Sequence, residues 1–149
     1  MNEAVIIAVE EIFIKMFNIK IKNNTPLEKN VDQTKHEVNT VICLVGELNG
    51  AFTLKSSMKL ACDIAGRMLN MDVEKGSEDM RDAIGEFMNI IVGAIHRYYS
   101  DTKTFNISVP SIILGEDYLV YTKASKSDKV TIIEFMYEDN KFSIEIYLK

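Results

Sequence analysis

The stretch from Ser77 to about Ser100 constrains this chain more than any other. Met80, Ile84, Phe87, Met88, Ile91, Ile95 and Tyr98 recur at three- and four-residue spacing, so one long helix gathers them on a single face. Ser77 can cap its start, with Glu78 and Asp79 in the first turn, where the helix dipole favours acids. Apolar side chains in that number need a core to cover them. The opposite face, Asp82, Glu86, Asn89, Gly93, His96 and Arg97, must then look outward.

The rest of the chain supplies that core. Val5, Ile6, Val9, Ile12, Phe13, Met16 and Phe17 predict a first amphipathic helix, and Met58, Ala61, Ile64, Ala65, Met68 and Leu69 predict another after Ser56-Ser57. Ile19 to Lys22 alternates apolar and basic residues and reads as a short strand; Asn23 to Glu37 reads as a loop. Thr40 to Leu48 and Ala51 to Leu54 flank Asn49-Gly50 and predict a β-hairpin with a tight turn. After the long helix come only strands: Phe105 to Leu114, Tyr118 to Thr122, Lys129 to Tyr137 and Phe142 to Leu148. The fold class that follows is α+β, one domain over residues 1–149, its antiparallel sheet carrying helices on one side.

Composition narrows the function classes. A net charge of −5 argues against nucleic acid, which wants clustered Lys and Arg. No apolar run is long enough to span a bilayer, and the first residues lack the basic start of a signal peptide, so a cytoplasmic address is expected. Cys43 and Cys62 read as small core residues, and the scattered histidines and cysteines offer no metal-ligand spacing.

A glycine such as Gly93 in mid-helix costs roughly 0.5–1 kcal/mol against alanine. It marks either a close approach by something outside or a cost the helix simply tolerates. Glu86-x-x-Asn89 is the single Glu-x-x-Asn of the sequence, and taken alone it describes any solvated helix face. With Asp82 one turn earlier and Pro110 opening the next strand, it resembles the motif of the CheC/CheX family of response-regulator phosphatases. In that pattern the proline stands slightly later, a difference a loop can absorb. The Gly46 to Gly50 hairpin, the Pro110 to Gly115 stretch, the N-terminal helix and the length look like the CheX branch, which carries one copy of the motif.

The resemblance implies a CheC/CheX-like fold and a phosphorylated CheY-like receiver domain as partner and substrate. It makes Glu86 and Asn89 the catalytic pair and puts Asp82 and Gly93 at the partner-binding surface, although Asp82 is equally readable as a first-turn acid serving the helix dipole. Asn89 can orient a water because its amide both donates and accepts; Glu86 can pair with the receiver's lysine. No cofactor of its own is implied, Mg²⁺ being expected in the receiver. His96 lies about 10 Å along the helix from Asn89, too far for a general base, and reads as a solvated or docking histidine; Arg97 is a rim residue on the same reasoning. A homodimer is implied, joined edge to edge, for which Phe105 to Leu114 and Thr131 to Tyr137 are compatible either as edges or as buried strands. The competing reading is a non-catalytic receiver-binding or flagellar-switch scaffold of the same fold. A small-molecule-binding domain has no ligand motif to support it.

Overall fold

The computed structural model describes residues 1–30, 36–99, 103–115 and 128–149. Among these residues three helices form where the apolar period is helical: α1 (Asn2–Phe17), α2 (Met58–Leu69) and α3 (Glu78–Tyr98). Serines start the second and third, Ser57 Oγ accepting from the Leu60 amide at 3.1 Å and Ser77 Oγ from the Met80 amide at 3.2 Å. α1 and α2 end at Asn18 and Asn70, both left-handed, the conformation asparagine tolerates best after glycine.

The strands among the described residues are β1 (Lys22–Asn23), β2 (Leu27–Asn30), β3 (Val38–Gly46), β4 (Gly50–Ser56), β5 (Phe105–Ile107), β6 (Ser111–Leu114), β7 (Lys129–Tyr137) and β8 (Asn140–Leu148). They make one antiparallel sheet ordered β1-β7-β8-β4-β3-β5, with β2 also on β7 and β6 also on β3. Alternation sends Phe52, Leu54, Phe142, Ile144, Ile133 and Phe135 to the helical side, where all are buried. Phe13 of α1 joins the layers, stacking on Phe142 at 5.2 Å and meeting Phe87 of α3 edge-on at 5.6 Å. α3 is thereby fixed from below by the sheet and from its flank by α1.

The other face of the sheet holds a second cluster, Val41, Ala51, Val130, Ile132 and Tyr147. It also holds a fully buried ion pair, Lys55 with Glu145 at 3.3 Å. Burial pulls the Lys55 ammonium below its usual pKa, against the pull of Glu145.

Several expectations need correction. The strand expected at Ile19 to Lys22 forms instead at Lys22–Asn23, and the expected loop contains β2, whose ladder is supplied by β7. Asn49-Gly50 is not a two-residue turn: Leu44 pairs with Gly50, and the loop between them is closed by the Asn49 side chain on the Gly46 backbone. Gly50 is required for another reason, since a Cβ there would overlap the Tyr147 carbonyl oxygen. Cys43 is exposed, because alternation turns it to the side without helices. The strand expected at Tyr118 to Thr122 lies outside the described residues.

Phe105 to Leu114 is two strands with a slip between them. Leu44 pairs with Ile107 and Val41 with Ser111, so three steps along β3 (44 − 41) face four along the edge (111 − 107). The extra residue makes a β-bulge at 108–110. Ser108 holds it: its amide donates to the Cys43 carbonyl and its Oγ accepts from the Cys43 amide, both at 3.0 Å, while the hydroxyl donates to the Val109 carbonyl at 2.9 Å.

Candidate functional site

α3 carries the candidate site on its outer face. Asp82, Glu86 and Gly93 are exposed and Asn89 is half-buried, while Ala83, Ile84, Phe87, Met88, Ile91, Val92 and Ile95 of the same helix are buried. Glu86 and Asn89 stand three residues apart, which places their Cβ atoms about 5–6 Å from one another. Among the described residues, Asp82, Glu86 and Asn89 make no side-chain hydrogen bond or ion pair. A carboxylate and a carboxamide in this state have their full bonding capacity turned outward. Asp82 is the fifth residue of α3, so the first-turn role belongs to Glu78 and Asp79, and Asp82 joins the Glu86 stripe instead.

The edge strands run beside this stripe. A Cβ on Gly85 would sit 3.4 Å from Ile112 Cδ1 and 3.5 Å from Pro110 Cβ, so the helix and the bulge meet at that glycine. Higher up, the His96 ring packs edge-on against Phe105, centroids 4.9 Å apart. His96 is thus a packing residue, and Pro110 shapes the strand that supports the helix. Gly85, a glycine immediately before Glu86 within a helical pattern, was a readable sign of that contact. At Gly93 a Cβ would meet nothing within 4 Å among the described residues.

Arg97 and Tyr98 turn toward α1. Glu11 accepts a hydrogen bond from the Tyr98 hydroxyl at 2.6 Å, lies 3.6 Å from the Arg97 guanidinium, and pairs with Lys15. These partners, Lys15 first, hold its carboxyl below the usual range. Tyr98, expected in the core, is 40% exposed, its ring lying at the α1 flank with the hydroxyl on Glu11. The cluster ties the far end of α3 to α1 and leaves the Glu86–Asn89 turn untouched.

A shallow cavity of about 860 Å³ lies along α2, lined by Lys59, Asp63, Arg67 and Asp72 among others. Asp63 accepts from Tyr137 Oη at 2.6 Å and from Arg67 Nε at 3.1 Å. Burial, then the bond to Asp63, pushes the Tyr137 hydroxyl far above its ordinary pKa, which suits a structural donor. No α3 residue lines this cavity. Among the described residues no group of three or more His, Cys, Asp or Glu is placed to hold a metal ion, and no helix is long and apolar enough to cross a membrane.

Residues 38–135, more than half of the chain, match the model of the family described as chemotaxis phosphatase CheX. No curated protein matches significantly. Among solved structures, the chemotaxis protein CheX of Desulfovibrio desulfuricans is 25% identical, with 99% of this chain and 97% of that chain covered and a TM-score of 0.83. The CheX of Borrelia burgdorferi, solved as a complex with CheY, BeF3 and Mg²⁺, is 17% identical over 99% and 97%, with a TM-score of 0.78. FliY of Thermotoga maritima is 20% identical over 97% and 84%, with a TM-score of 0.72, and shares the fold.

Proposed function

This chain belongs to the CheX family of chemotaxis phosphatases, and from that premise we propose that it hydrolyses the phospho-aspartate of a CheY-like receiver domain through Glu86 and Asn89. The observation that carries the reading is the outer face of α3, where the two side chains stand together, turned outward and without partners among the described residues. An acyl phosphate is already reactive, so the task is positioning. The Asn89 carboxamide accepts one hydrogen bond from a water and donates another, holding it in line with the bond to be broken. The water oxygen bonds to phosphorus, the P–O bond to the aspartyl carboxylate breaks, and that carboxylate leaves with its electron pair. Inorganic phosphate carries away the added oxygen, and the water's proton passes to phosphate or solvent. Glu86 anchors the helix by a charge-assisted pair with the receiver's lysine, setting how far Asn89 enters. Mg²⁺ in the reaction would belong to the receiver, clamping the phosphoryl oxygens.

The fold shared with FliY keeps a second reading in view, a scaffold that docks on a receiver or a switch component and hydrolyses nothing. The presence of both Glu86 and Asn89 in that arrangement favours the enzyme. Substoichiometric amounts added to a phosphorylated CheY-type receiver decide between them. Repeated turnover is expected; protection of the phosphoryl group, or loss of no more than one per chain, would contradict it.

A further inference from the structure

We propose that Val109, with Ile107 next to it, forms the apolar wall on which the receiver domain seats beside Glu86 and Asn89, and that the bulge between β5 and β6 presents it. The proposal rests on the receiver-phosphatase reading above.

The edge strands and α3 run side by side in opposite directions, pinned at two points. One is His96 on Phe105; the other is Gly85 against Pro110 and Ile112. Five extended residues from Phe105 to Pro110 cover about 16 Å. Eleven helical residues from His96 back to Gly85 also cover about 16 Å. With the lengths matched, Val109 comes level with the turn from Glu86 to Asn89, and Ile107 with the turn from Asn89 to Gly93.

Phe105 and Ile107 face the helical side with their partners Gly46 and Leu44, and the contact of Pro110 with Gly85 puts Pro110 there too. Val109 stands between Ile107 and Pro110 at the inserted residue, where the strand's alternation is broken. Pro110 fills the groove against the helix, which leaves Val109 82% exposed, the highest value among the large apolar side chains described. Ile107 is 44% exposed. Val109 and Ile107 thus raise apolar surface directly beside the polar stripe of α3, where a partner resting on that helix would remove it from water.

The receiver is the occupant that the dimensions favour. A specific interface takes about 800 Å² of each partner, a patch about 30 Å across. The stripe from Glu86 to Gly93 spans about 10 Å. A domain that brings its phosphoryl group to Asn89 therefore rests on the flanks of α3 as well, and on this flank the surface is Val109 and Ile107. Val109 acts by positioning and takes no part in the chemistry.

The test uses the full chain and the CheY of the same organism, activated with BeF3 and Mg²⁺ for titration and phosphorylated for kinetics. Val109→Asp should raise both Kd and KM by roughly tenfold or more, as for loss of an interface anchor, with kcat within about twofold of wild type. Val109→Ile should restore both. Melting curves of all three should coincide, since the side chain is in water. An unchanged Kd for Val109→Asp, or a fall in kcat with KM intact, overturns the inference while leaving the phosphatase reading standing. If the wild-type chain neither binds nor dephosphorylates this receiver, the reading falls, and the inference falls with it.

Discussion

At Gly93 a Cβ would meet nothing among the described residues, whereas at Gly85 it would meet Ile112 and Pro110, so two glycines of one helix serve opposite surfaces. The fold therefore does not require glycine at 93. Gly93→Ala should stabilise the chain by about 0.5–1 kcal/mol, read as a higher melting temperature, because alanine restricts the unfolded chain and suits the helix. If a receiver lies close against that turn, the same variant should bind it more weakly; unchanged affinity would take Gly93 out of the interface. Glu86 is tested by charge. Glu86→Gln should weaken titration with a BeF3-activated receiver, and Glu86→Lys should weaken it further by meeting the receiver's lysine with a like charge. Equal affinity in both variants would show that Glu86 makes no contact there. These residues were legible in the sequence because a helix turns every residue by a fixed angle, so spacing alone separates the wet face from the dry one. Tyr98 and Cys43 were not, because spacing cannot tell where the border of a helix's dry face falls or which side of a sheet lies open.

Among the elements, helices were read most fully, since their signals are local: Ser57 and Ser77 both cap as their positions suggest. β2 was hidden because Leu27-Glu28-Lys29-Asn30 has no alternation, and its hydrogen bonds come from β7, about a hundred residues away. The bulge was hidden within an apolar run, though Pro110 inside a presumed strand was a sign against continuity. The sheet makes its own prediction at Lys55, whose ammonium is buried 3.3 Å from Glu145 between β4 and β8. Lys55→Met removes the partner of a buried carboxylate and should cost about 3–5 kcal/mol in urea unfolding, whereas Lys55→Met with Glu145→Leu should recover most of that loss. A single variant as stable as wild type would mean that the pair contributes nothing to the fold.

Over the whole molecule, the borders of the sheet decide what can pair with it. Among the described residues β5 and β6 form one border of the sheet and β1 and β2 the other. β7 lies inside, between β8 and the short strands, so Thr131 to Tyr137 cannot be a dimer edge. We propose that a two-fold dimer forms at a free edge and repeats the Glu86–Asn89 face once per subunit. Sedimentation at micromolar concentration should then give twice the chain mass of 16.9 kDa, and titration one receiver per subunit. A monomer of full activity would show that function does not need the pairing. Chain order and sheet content were legible at this scale; the neighbours of each strand were not, because pairing is decided by contacts distant in sequence. The proposed hydrolysis turns on the water held by Asn89, and single-turnover decay of phosphorylated receiver under saturating chain reads that step. Asn89→Ala, on an outward face of α3 and so expected to fold normally, should bind the receiver yet dephosphorylate it about a hundredfold or more slowly. Decay as fast as wild type with the receiver bound would take Asn89 out of the chemistry.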